Sequence, residues 1–154
     1  MISAKQSSSK QMGQKNHTKE PDENFEVDID LYKMTIDVYL GSFEKTIKQI
    51  EKKHGVKLDF ASDFGGSDGT VINLEESHDV PGYVVIAIKN FAEKYAEDQW
   101  RAIAVLSHEA VHVATAIMHN RGIPISYEND ETLAYLQEWI LETILNQAPE
   151  HFDE

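Results

Sequence analysis

The chain has 154 residues, no cysteine and a net charge of −13. That length suits one hydrophobic core, and the absence of cysteine excludes a disulfide scaffold and fits cytosol or a virion. So acidic a body argues against nucleic acid as a partner. No apolar run approaches transmembrane length and the N-terminus lacks a signal-peptide block, so no membrane association is expected. A cytoplasmic (host-cell) or virion protein is expected instead.

The charge is uneven. Residues 1–20 carry four lysines and one glutamate, net +3, whereas residues 21–154 carry ten basic and twenty-six acidic residues, net −16. Residues 1–24 are rich in Lys, Gln, Ser and Asn and read as a flexible basic arm, either solvated or docking on a protein partner. A folded domain is expected over 25–148 and an acidic tail over 149–154.

Within the domain, 25–31 alternates apolar and polar residues, as a short strand does, and 35–40 repeats the pattern with Ile36, Val38 and Leu40 on one face. Gly41 or Ser42 then opens a helix whose apolar side holds Phe43, Ile47 and Ile50 and which ends at His54-Gly55. Residues 57–60 suit a short strand. Residues 63–69, rich in Gly, Asp and Ser, suit a flexible loop, which lacks the Gly-Lys-Ser/Thr of a phosphate loop. Residues 70–74 and 83–88 read as two strands joined around Pro81-Gly82. No internal repeat is visible.

The chemistry concentrates in His108-Glu109-Ala110-Val111-His112, an HExxH motif. On a helix, residues four apart share a face, so two imidazoles can grip one metal ion while the intervening Glu takes a proton from an attacking water. The flanks predict that helix. Asp98 can cap its start, apolar residues recur at Ile103, Leu106, Ala110, Val113, Ala114 and Ile117, and Gly122 and Pro124 stop it.

A catalytic zinc site needs a third protein ligand and an open position. Without cysteine it falls to His, Asp or Glu, and Glu128, Asp130 and Glu131 follow within twenty residues of His112. A turn at Gly122-Ile123-Pro124 leads into a second helix, capped by Asn129 or Asp130, whose apolar set is Leu133, Ala134, Leu136, Ile140, Ile144 and Leu145. The short connection makes the two helices antiparallel neighbours and brings these carboxylates back toward His112. Glu128 and Asp130 also suit capping and the positive helix end.

HEAVH followed by Asp130-Glu131-x-x-Ala134-Tyr135 resembles the gluzincin arrangement. More specifically, it resembles small HExxH proteins of phages and prophages, with their Gly-Ile/Val-Pro turn and Asn-x-Glu-x-x-Ala-Tyr-Leu segment. The resemblance runs from about Met34 to Leu145. It implies an α+β minimal zincin fold, a small mixed or antiparallel sheet packed on the HExxH helix and a following ligand-bearing helix. It further implies a bacteriophage-encoded zinc metallopeptidase, with one Zn2+ on His108, His112 and Glu131, Glu109 as general base, and a peptide or protein substrate. Large gluzincins often have Asp four residues after the ligand Glu. Tyr135 stands there instead and is a candidate for hydrogen bonding a ligand or the oxyanion, a role Tyr127 could share. Their downstream proton donor has no counterpart here. In such folds a strand like 84–88, just before the metal helix, binds extended peptide by strand addition at the sheet edge.

Two other functions fit the same residues: a catalytically silent zincin-fold virion or assembly protein, and a regulatory zincin peptidase that cleaves a repressor. Of the other histidines, His17 and His151 fall in the termini and His54 and His119 at helix ends. His78 lies in a loop from which it could visit the cleft.

Overall fold

The computed structural model describes residues 23–148; the arm and tail inferred above lie outside them, apart from Glu23 and Asn24. Four strands, β1 (Asn24–Ile29), β2 (Met34–Tyr39), β3 (Gly69–Asn73) and β4 (Tyr83–Ile88), form one sheet in the order β1-β2-β4-β3. β1 and β3 pair antiparallel with their neighbours, whereas β2 and β4 are parallel. The helices are α1 (Phe43–His54), a single turn α2 (Leu74–Ser77), α3 (Phe91–Glu97), α4 (Gln99–Asn120) and α5 (Asp130–Gln147). The architecture is therefore mixed α+β with a mixed sheet.

Side-chain alternation divides the sheet into two faces. Ile36, Val38, Val84, Ile86 and Ile88 point to the side where α4 and α5 contribute Leu106, Ala110, Val113, Ile117, Leu136 and Ile140, all buried. Tyr39, Val85 and Ala87 point to the other side, against Phe43 and Ile50 of α1 and Phe64. Each fully buried aliphatic residue there contributes roughly 1.5–3 kcal/mol of transfer free energy. β4 is apolar on both faces because it lies between β2 and β3 with helices on either side.

Local signals account for the helix ends. Ser42 Oγ accepts a hydrogen bond from Lys45 N at 3.3 Å, and Gly55, at φ 66°, closes α1 in the left-handed conformation. Asp98 accepts from Arg101 N at 3.1 Å to start α4. Beyond its end, Arg121 donates to Tyr32 O at 2.6 Å, Lys33 O at 3.2 Å and Glu75 Oε1 at 3.1 Å, tying α4 to the β1–β2 turn and to α2.

Four sequence expectations change. Residues 57–60 are not a strand: a π-turn winds over Phe60–Phe64, started by Asp59, whose carboxylate accepts from Ala61 N. The following Gly/Ser segment is anchored, with Ser67 Oγ donating to Gly69 O at 2.7 Å and Thr70 Oγ1 to Asp63 O at 2.7 Å. β4 is interior, so the exposed sheet edge beside α4 belongs to β3. Finally, α4 is long and apolar enough to span a membrane by length and composition, yet its apolar residues pack against β3, β4 and α5.

Candidate active site

α4 presents two faces. Ala102, Leu106, Ala110, Val113 and Ile117 are buried, while Arg101, Ala104, His108, His112 and His119 are exposed along the opposite side. Spacings of three, four and seven residues stack the latter in one row. Helical geometry thus turns the HExxH spacing into a pair of imidazoles on one ridge.

The His108 and His112 Nε2 atoms are 3.3 Å apart, with the rings at 69° to one another. Two nitrogens each ~2.05 Å from a tetrahedral ion stand about 3.3 Å from one another. The pair is therefore spaced as two ligands of one zinc would be. One neutral imidazole donating to the other produces the same separation when no metal is bound.

Glu109 lies beside them but turns inward and is 8% exposed. Burial pushes its carboxyl above the ordinary carboxylate range, partly opposed by His112 and His108. Its neighbour is Gly69, the first residue of the edge strand: a methyl group there would meet Glu109 Cγ at 2.7 Å.

β3 and α4 form the walls of a cleft of about 670 Å³, lined by Gly69, Val71 and Asn73 from the strand and by His108, Glu109, His112, Thr115 and His119 from the helix. A recess of about 280 Å³ extends it past His108 to Asp68 and Arg101. At the other end His119 Nε2 faces Glu76 Oε1 at 3.6 Å, and the Asn73 and Asn120 amides donate to each other at 2.8 and 2.9 Å.

His108, His112 and Glu109 thus come together as their spacing implies. Glu131 does not join them. It is exposed in the first turn of α5 and outside the cleft lining, and among the described residues no group of three His, Cys, Asp or Glu stands together as a metal set. Its height along α4 is nevertheless that of the motif. Gln137 Nε2 donates to Ser107 O at 3.2 Å, so six residues earlier the antiparallel α5 is level with about Val113. Tyr135 lines a separate groove with Asp28, Leu31 and Trp139, and Tyr127 is 91% exposed.

The remaining histidines take other places. His119 is at the helix end, as expected, but it also lines the cleft. His78 is outside the cleft, with its Nδ1 buried and unpartnered. His54 ends α1, as expected, and its side chain is buried against Asp37. Its Nε2 lies 2.8 Å from Asp37 Oδ2, whose carboxylate also accepts from Tyr39 OH at 2.6 Å and Lys53 Nζ at 2.8 Å. Asp37, a lone acid in the β2 alternation, was the available signal for that network. Gly69 and Glu76 carried none, since their approach to α4 depends on strand order.

Comparison of the chain with protein-family models, with curated proteins and with solved structures gives no match in any of the three.

Proposed function

We propose that the protein is a zinc-dependent metallopeptidase of minimal zincin type, hydrolysing peptide bonds in the cleft between β3 and α4. The observation that carries this reading is the 3.3 Å separation of the His108 and His112 Nε2 atoms, facing a cleft beside the buried acid Glu109. His108 and His112 would hold the metal. Glu131, level with them along α4, is the proposed third ligand and must swing inward to reach it. A zinc ion held there supplies Lewis acidity toward water and a carbonyl oxygen.

The chain's own groups do the rest. Glu109, with a pKa raised by burial, accepts the proton of the attacking water and delivers it to the leaving amine. The free edge of β3 offers backbone N–H and C=O groups to an extended peptide, aligning it along the imidazole row by strand addition. Tyr135, turned to another groove, has no part in this scheme.

One observation favours a non-cutting variant of the reading: among the described residues no third ligand completes the histidine pair. Elemental analysis of wild type and Glu131→Ala decides between the two, together with peptide-library cleavage by wild type and Glu109→Gln. About one zinc per chain, lost in Glu131→Ala, with cleavage lost in Glu109→Gln, supports the peptidase. Zinc without cleavage supports the silent form, and no zinc in wild type even when supplied overturns both.

A further inference from the structure

The recess of about 280 Å³ that leaves the cleft past His108 has a cationic mouth. Arg101, seven residues before His108, lies in the same row of α4, two turns or about 11 Å away along the helix. Asp68, just before the edge strand, meets more than one cation. Lys94 Nζ lies 3.1 Å from its Oδ1, and an Arg101 guanidinium nitrogen lies 3.8 Å from its Oδ2. Lys94 above all, with Arg101 and Lys89 adding, holds the Asp68 carboxyl below the ordinary carboxylate range. The other acid of the lining, Glu109, is buried beside the histidine pair. Positive charge therefore exceeds negative at the Asp68 end.

The two nearer cations differ in how they are held. Lys94, 22% exposed, also donates to Lys89 O at 2.7 Å and so is fixed on Asp68. The Arg101 side chain is 66% exposed, its 3.8 Å separation from Asp68 exceeds hydrogen-bond length, and among the described residues no hydrogen bond holds its guanidinium. Its planar fork is open to a second carboxylate, which it can take through two parallel hydrogen bonds. Strand direction says which part of a peptide arrives there. β3 runs the same way as α4, with Gly69 beside Glu109 and Asn73 paired to Asn120. A peptide added antiparallel to β3, the more stable pairing, runs toward Arg101 with the residues that follow its scissile bond.

We infer that Arg101 selects peptides by a carboxylate placed after the scissile bond, either an Asp or Glu side chain or the peptide's own C-terminus. An extended chain advances ~3.3 Å per residue, so the carboxylate falls within about three residues of the cut. The inference rests on the peptidase reading for the cut, whereas carboxylate binding in the recess is measurable without turnover.

The test gives full-length, zinc-supplied protein two random-peptide libraries, one with free and one with amidated C-termini, and reads the products by mass spectrometry. Wild type should favour Asp or Glu after the cut about tenfold over Asn or Gln in both libraries if a side chain is the ligand. If the C-terminus is the ligand, it should cut free peptides near their ends about tenfold better than amidated ones. Arg101→Glu should lose the preference and favour Lys or Arg at the same position, a reversal that damage to the fold would not produce. An acid in the first turn of α4 suits the helix dipole, so the variant should fold. Cleavage by wild type without a carboxylate preference, or with one that Arg101→Glu retains, overturns the inference and leaves the peptidase reading standing. Binding is read in the Glu109→Gln protein by polarisation of fluorescein-labelled alanine peptides carrying one Glu or one Gln, each free and amidated. A carboxylate should tighten binding about tenfold, and adding Arg101→Glu should erase the gain. That gain without any cleavage by wild type keeps the carboxylate site and removes the peptidase reading. Neither gain nor cleavage overturns the inference.

Discussion

Gly69 and Glu109 occupy one space: a Cβ on Gly69 would lie 2.7 Å from Glu109 Cγ and 3.1 Å from its Cδ, with Ile88 Cδ1 at 3.0 Å on the other side. The edge strand can approach α4 this closely only because Gly69 has no side chain. That approach helps to bury Glu109, and burial raises its pKa. Gly69→Ala should displace the Glu109 carboxylate while leaving His108 and His112 in place. We expect zinc stoichiometry to be unchanged, peptide turnover to fall, and unfolding to become easier by ~1–3 kcal/mol in urea titrations. Unaltered turnover in Gly69→Ala would show that the contact does not set the position of the acid.

Glu109→Gln separates catalysis from stability. Turnover should fall ~10²- to 10⁴-fold with zinc retained, the cost of removing a general base. Without metal, the same substitution should stabilise. The Glu109 pKa is raised in the folded state, so the native protein binds this proton more tightly than the unfolded chain does. Wild type therefore loses stability, relative to the variant, as pH rises from the ordinary carboxylate value through the raised one. Melting of the metal-free proteins should show Glu109→Gln above wild type at about pH 7, the gap closing toward about pH 4.

Glu128, Asp130 and Glu131 lie together at the start of α5, and all three are exposed. Only Glu131→Ala should weaken zinc binding, by at least ~100-fold, in competition titrations against a chelator. Glu128→Ala and Asp130→Ala should leave affinity near wild type and cost at most ~1 kcal/mol of helix stability through lost charge at the N-terminus. Loss of zinc in Asp130→Ala with retention in Glu131→Ala would move the ligand assignment by one residue.

Asp37, 1% exposed, accepts from Tyr39, Lys53 and His54 at the interface between the sheet and α1. Asp37→Ala removes the centre of this network and strands its donors, so we expect a loss of ~3–5 kcal/mol in urea denaturation. Burial lowers the Lys53 pKa, but hydrogen bonds to Asp37 and Glu26 outweigh it and hold the ammonium above its ordinary 10.5. Its contribution is therefore complete below that value and is lost as pH rises through the higher folded one. Alkaline denaturation of wild type should steepen there, and the steepening should disappear in Asp37→Ala.

What lies within a few residues along the chain was legible in the sequence. The HExxH spacing put two imidazoles on one ridge, Asp98 and Ser42 capped their helices, Gly55 and Gly122 adopted positive φ, and 83–88 formed a strand with the bounds its apolar run implied. These features depend on backbone hydrogen bonds and side chains three or four positions away, so local residue types suffice to determine them. Strand order and helix rotation depend instead on contacts between distant segments. The parallel pairing of β2 with β4 put the apolar strand 83–88 inside the sheet and left Gly69–Asn73 at the edge beside the histidines. The buried stripe of α5 around Leu136, Ile140 and Ile144 left Glu131 exposed and outside the cleft lining and put Tyr135 in a separate groove. The packing of α1 on the sheet joined Asp37 to His54 across seventeen residues. Periodicity specifies which side of an element is apolar, but only packing decides what that side meets, and with it which polar groups share a site.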